Sequence, residues 1–247
     1  MKANHMNPFR SRLILLFCLT SLGISSCQKG DTASTKNSPA PKSNCMFLSD
    51  SASGQSEKVN YDSQNQILSI ESKGYQYAGV DYTSIVPVWD NNNRLYTLTY
   101  YNFGSTAMVI TYTYGPTSIT MFYDQHSPFS FTVYRTMGPN NRPISDSIPS
   151  TGSSVKRILN YTYDAKGNLL SDGTTTYTYD DMPNPTKVLA FLPALTYGNS
   201  NNILTAKSSF GTSRYSYTYD ASGKVTQLKL VDNTGASSVF AYSYSCK

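Results

Sequence analysis

Acid–base and metal chemistry have few side chains to draw on in this 247-residue chain. It carries two histidines, His5 and His126, and its only glutamates are Glu57 and Glu71. A Ser-His-Asp arrangement needs a histidine beside a nucleophile, and a zinc site needs several nitrogen or sulfur ligands at short spacing. His126 stands alone between Tyr123-Asp124 and Pro128, in turn context. Glycoside hydrolysis needs two carboxylates facing each other across a cleft. Asp180-Asp181 is the adjacent pair, and neighbours on a strand face opposite ways. The oxygen-rich "DNNN" and "DSQN" stretches lack the dense acidic spacing of calcium loops. These residues predict no catalytic site, no metal and no cofactor.

The cysteines carry clearer information. Lys2, Arg10 and Arg12 precede the apolar run Leu13–Ile24, which is too short for a comfortable membrane span and reads as an export signal. The signal ends in Ile24-Ser25-Ser26-Cys27, which resembles the lipobox of bacterial lipoproteins. That resemblance implies cleavage after residue 26 and lipidation of Cys27, with the membrane as partner through an N-terminal lipid anchor. The "QKGD" that follows is similar to the lysine-plus-acidic signal of surface-exported lipoproteins of the Bacteroidota, with Gly30 interrupting the acidic run. Residues 27–44, rich in Ser, Thr, Pro and Lys, read as a flexible tether. The expected address is the cell envelope, as an outer-membrane lipoprotein open to the surface.

Removing residues 1–26 takes away three cations and no acid, lowering the formal charge from +5 to +2. No Lys/Arg cluster able to track phosphates remains, so nucleic acid is not an expected partner. Cys45 and Cys246 are then the two thiols left, at opposite ends of residues 45–247. An oxidising envelope favours their pairing, and closing so long a loop stabilises by roughly 5 kcal/mol in the chain-entropy view. Two free or separately paired thiols are the alternative.

The elements between those cysteines read as strands. "ILSIES", "RLYTLTYYNF", "AMVITYTYG", "TSITMFYD", "FSFTVYRT", "RYSYTYD", "KVTQLKLVD" and "SSVFAYSYSC" alternate β-branched or aromatic residues with polar ones at period two. Turn clusters separate them at Asp62–Asn65, Asp90–Asn93, Asp164–Gly167 and Asp220–Gly223. In each, Asp can accept bonds from the backbone ahead of it, while Gly or Asn supplies the left-handed position.

The phrases "YTYDAKGNLL" and "YSYTYDASGKV", with Tyr163, Asp164 and Gly167 in one and Tyr219, Asp220 and Gly223 in the other, resemble the YD repeats of RHS-type envelope proteins. The segment 179–208 is similar to a recurrent feature of uncharacterised Bacteroidota lipoproteins with degenerate YD repeats. The resemblance implies an all-β antiparallel meander of hairpin repeats in which these residues are structural. At this length the expected form is an open twisted sheet or a two-layer packing. Residues 135–154, with their Pro and Gly, are expected to form a long loop or linker between halves 45–135 and 155–247.

Many of the 21 tyrosines fall in same-face series, such as Tyr215, Tyr217 and Tyr219. They read either as cross-strand ladders or as a platform for sugar. The expected role is a structural or protein-interaction module, with an unknown envelope protein or a glycan as partner. "DTA", "DSA" and "DSI", beginning at Asp31, Asp50 and Asp146, resemble glycosylation sites of Bacteroidota envelope proteins and are expected in tether or loop.

Overall fold

The computed structural model describes residues 45–52, 54–77, 80–125, 130–149, 155–193 and 195–246. The lipobox with Cys27, the tether, Asp31 and His126 lie outside the described residues. The period-two alternation is expressed as strands throughout: β1 (Cys45–Ala52), β2 (Gln55–Tyr61), β3 (Ile67–Tyr77), β4 (Val80–Trp89), β5 (Leu95–Asn102), β6 (Ser105–Tyr114), β7 (Ser118–Asp124), β8 (Phe131–Met137) and β9 (Pro143–Pro149). The chain continues through β10 (Lys156–Asn160), β11 (Thr162–Tyr163), β12 (Leu169–Ser171), β13 (Thr175–Pro183), β14 (Asn201–Ser208), β15 (Gly211–Tyr219), β16 (Val225–Val231) and β17 (Ser237–Cys246).

Apart from β10 and β11, which are not paired with each other, each strand pairs antiparallel with its sequence neighbours, as a meander requires. The sheet does not stay open, and it is not two separate layers. β1 pairs with β17 as well as with β2, and β9 pairs with β10. β10 and β11 are two parts of one stave interrupted at Tyr161, the first bonded to β9 and the second to β12. The ladder therefore closes on itself as a barrel. Cys45 and Cys246 are direct register partners at the seam and are joined by a disulfide across 201 residues.

The segment expected to divide the domain is itself part of the wall. Arg135–Met137 finish β8, and Pro143–Pro149 form β9, hydrogen-bonded on both sides. Its alternation was disguised because Asp146, a charged residue, faces inward opposite Arg135. Asp50 and Asp146 thus lie in strands, not loops, so the "DSA" and "DSI" stretches lack the loop setting expected for glycosylation.

One hairpin design recurs. The backbone carbonyls of Asp62, Asp90, Asp164, Asp220 and Asp232 each accept the N–H of the residue three positions on, in a turn whose fourth position is left-handed: Asn65, Asn93, Gly167, Gly223 and Gly235. The Asp carboxylate accepts the N–H four residues on in every case. This is the three-residue loop with a left-handed closing residue. Where several strands begin, the first apolar residue faces inward and the next one is squeezed out as a β-bulge: Leu68, Tyr96, Leu170 and Leu204 occupy those outward positions. The bulges account for these four exposed apolar side chains; Val88, Phe122, Tyr134, Ile144, Ile158 and Val239 are exposed on the strands as well.

A bulge breaks the ladder and frees a carbonyl. Tyrosine hydroxyls take those carbonyls. Tyr61 donates to Phe47 (2.6 Å), Tyr114 to Leu95 (2.9 Å), Tyr179 to Leu169 (2.5 Å) and Tyr217 to Ile203 (2.9 Å), each acceptor standing immediately before a bulged residue.

The two faces differ sharply. Val59, Ile70, Ile85, Leu98, Met108, Ile110 and Met121 point inward and are almost wholly buried. Across the outer face run Lys58 and Glu71, Thr97 and Thr111, Thr178 and Thr205, and Ser216 and Lys229, paired strand to strand. Lys58 and Glu71 form an exposed ion pair at 3.9 Å, and the hydroxyls of Thr178 and Thr205 meet at 2.7 Å.

Candidate functional site

Between β13 and β14 the chain leaves the wall for residues 184–200. It enters through Asn184, whose side chain caps the 3₁₀ turn Pro185–Leu189 by accepting from the Thr186 N–H. The excursion turns into the barrel: Leu189 and Leu192 join the main core, and Phe191 meets Trp89 edge-on at 5.5 Å. It is held at its base by asparagines. Asn168, 1% exposed, accepts from the backbone of Ser200 and Asn201 and donates to Asp164 and to the Asn201 side chain. Asn199 accepts from the Leu169 N–H. Asp180 binds Asn202 and Tyr219, while Asp181 is exposed and pairs with Lys166 at 2.6 Å. The two adjacent aspartates face apart, as strand geometry demands.

The residues singled out from the sequence thus have structural positions. Tyr163, Asp164 and Gly167 form one hairpin end, and Tyr219, Asp220 and Gly223 another. Gly167 has a φ of +91°, the left-handed position of its turn, and the flexible end of Arg142 lies against it. The inward tyrosines are mostly buried, including Tyr75, Tyr82, Tyr100, Tyr112, Tyr123, Tyr161 and Tyr177. Those with an exposed ring are Tyr96 and Tyr134, so the described surface offers ladders inside rather than a tyrosine platform outside.

Beneath the excursion lies a cavity of about 360 Å³. Trp89, Tyr112, Tyr163, Arg135, Arg142 and Phe191 supply its polar and aromatic wall. The sequence placed Arg142 in an expected loop, and nothing in it linked that residue to Trp89. Arg135 and Asp146 form a bidentate pair with both contacts at 2.8 Å. The Arg142 guanidinium lies 5.8 Å from the Tyr163 ring centroid. Burial pushes the Tyr163 phenol up to about 12 and the Tyr112 phenol well above its ordinary value, so both stay protonated and able to donate at neutral pH.

A second cluster was also invisible in the sequence. Asp50 and Glu57 stand directly opposite each other across β1 and β2, on the inward face. Tyr75 donates to Asp50, and Tyr82 and Ser72 donate to Glu57, all at 3.3 Å. Desolvation raises Asp50 to about 6, and desolvation with the charge of Asp50 raises Glu57 to about 7. Glu57 is 4% exposed, so this pair belongs to the packed interior. The described residues contain no group of three or more His, Cys, Asp or Glu placed to hold a metal.

No protein-family model matches the chain, and comparison with curated proteins finds no match. Among solved structures the chain is similar to a porin-like protein from Bacteroides uniformis at 12% identity and a TM-score of 0.37, over 84% of this chain and 99% of that one. It is similar to a porin-like protein from Bacteroides vulgatus at 12% identity and a TM-score of 0.39, over 83% of this chain and 99% of that one. The barrel assignment rests on the strand pairing itself.

Proposed function

We propose that the protein is a lipid-anchored envelope module whose barrel stands in water and acts by binding. The observation that carries this reading is the set of cationic side chains on the outer face of the strands. A barrel embedded in lipid shows an apolar outer band, and a Lys or Arg on its lipid face at mid-bilayer costs roughly 2–4 kcal/mol. Here Lys58, Lys73, Lys207, Arg214 and Lys229 face outward along the strands, beside exposed apolar residues such as Val88, Phe122, Ile158 and Val239. The lipobox at Cys27 and the tether that follows supply the attachment. Kinship with YD-repeat envelope proteins is part of this proposal and rests on the phrases at Tyr163–Gly167 and Tyr219–Gly223.

Protease cleavage tests this directly. Cutting within residues 28–44 of membrane-bound protein should release residues 45–247 into the soluble fraction without detergent. Cys27→Ala should abolish labelling by an alkyne fatty acid. A barrel that remains in the membrane after tether cleavage, or a Cys27 that takes no label, overturns the reading.

A further inference from the structure

Most inward tyrosines of this barrel find an acceptor, which makes the exceptions informative. Among the described residues Trp89 Nε1, Tyr112 Oη, Tyr163 Oη, Asn199 Nδ2 and Tyr244 Oη are buried without a hydrogen-bond partner, and the first three belong to residues that line the cavity under the excursion. Tyr112 is 7% exposed. Leaving such groups unpaired costs roughly 1–3 kcal/mol each. An indole N–H can only donate, so whatever completes the site must accept.

Charge narrows the choice further. The cavity wall contains Arg135 and Arg142 and no carboxylate. Arg135 is neutralised by Asp146, but no ion pair is formed by Arg142 among the described residues. The rest of the wall is chiefly apolar, with Leu95, Ile119, Met121, Met137 and Leu192. Ring faces that would seat a sugar are partly taken: Arg94 covers Tyr114 at 4.5 Å, and Arg142 covers Tyr163.

We propose that this cavity binds a small organic acid with an apolar body. The carboxylate would meet Arg142 and the unpaired N–H and O–H donors, and the body would rest on the aliphatic wall. The volume falls within the ordinary range for small-ligand pockets. This deepens the reading of the barrel as a binding module by naming what it takes.

Trp89 is the chain's sole tryptophan, so its emission reports on this cavity and nowhere else. The full chain in detergent would be titrated with phenylacetate, with 2-phenylethanol (body without charge), acetate (charge without body) and glucuronate (charge on a hydroxylated ring). Saturable change with phenylacetate is expected, weakened about tenfold or more in each of the three comparison ligands and in Arg142→Met, and several-fold in Tyr112→Phe. Thermal melts of the variants establish that they fold, and the ligand comparisons need no variant. No saturable change up to about 10 mM, within reach of even weak ligands of this size, overturns the proposal and leaves the cavity to water. Equal binding of 2-phenylethanol or an unaffected Arg142→Met overturns the acid, and equal binding of glucuronate overturns the apolar body. Because the titration does not depend on the anchor, failed binding with successful tether release sinks this site alone. Binding without release sinks only the anchoring.

Discussion

Replacing Glu57 by glutamine should make the protein more stable at neutral and alkaline pH. Glu57 is inward-facing, 4% exposed and opposite Asp50. Its carboxyl is raised from 4.5 to about 7, first by desolvation and then by the Asp50 charge, while Asp50 rises to about 6, chiefly by desolvation. An acid whose folded value exceeds its unfolded one binds more protons when folded. Its contribution is therefore most favourable below the unfolded value, and stability falls as pH climbs toward the folded one. For Glu57 that rise converts to about 3 kcal/mol lost between roughly pH 4.5 and 7. Glutamine keeps the shape and the bonds to Tyr82 and Ser72 without the charge. Urea unfolding of Glu57→Gln with the disulfide intact, followed by circular dichroism across pH, should match the parent near pH 4 and show a gap in favour of the variant of about 3 kcal/mol near pH 8. A parent stability that is flat across this window, or a variant no more stable at pH 8, would refute the placement of Glu57 in a desolvated acid pair.

Other perturbations test other parts of the wall. Reducing Cys45–Cys246 should lower unfolding stability by roughly 2–5 kcal/mol while leaving strand content unchanged by circular dichroism, because β1 and β17 remain laddered. Asn168→Ala removes the acceptor for two backbone N–H groups and should cost roughly 2–4 kcal/mol, with hydrogen exchange rising first in residues 184–200. Arg135→Met strands Asp146 in the interior and should cost roughly 3–5 kcal/mol in chemical unfolding, much of it restored by adding Asp146→Leu.

What the sequence disclosed was local. Period-two alternation located the strands, the Asp-to-Gly phrases located the turns, and subtraction of the signal left Cys45 and Cys246 to pair. Closure of the sheet is a property of the whole ladder, and no single strand announces it. The disulfide held the hint, since a meander whose first and last strands are bonded must bring its edges together. Arg142 was hidden by its Pro and Asn neighbours, and Asp146 by being a charge at an inward position. Asp50 and Glu57 meet only because the β1–β2 turn sets Ala52 against Gln55, a register that fixes every pair behind it.

The cavity follows from how the barrel is filled. A ring with this many staves, built at ordinary strand tilt, encloses more space than aliphatic side chains can occupy. This chain fills the excess with tyrosines and with the 184–200 excursion. Each tyrosine needs a partner for its hydroxyl, and the bulges provide carbonyls at the right depth for Tyr61, Tyr114, Tyr179 and Tyr217. The arrangement runs out where Phe191 and Leu192 end against β4–β9, and the polar groups of Trp89, Tyr112 and Tyr163 are left around the remaining space. Packing alone would favour Phe at positions 112 and 163, which would fill nearly the same volume without the unpaired hydroxyl. The proposed organic acid would supply the acceptor that Tyr112 and Tyr163 lack within the chain, whereas Tyr244, also unpaired, is not part of the cavity wall.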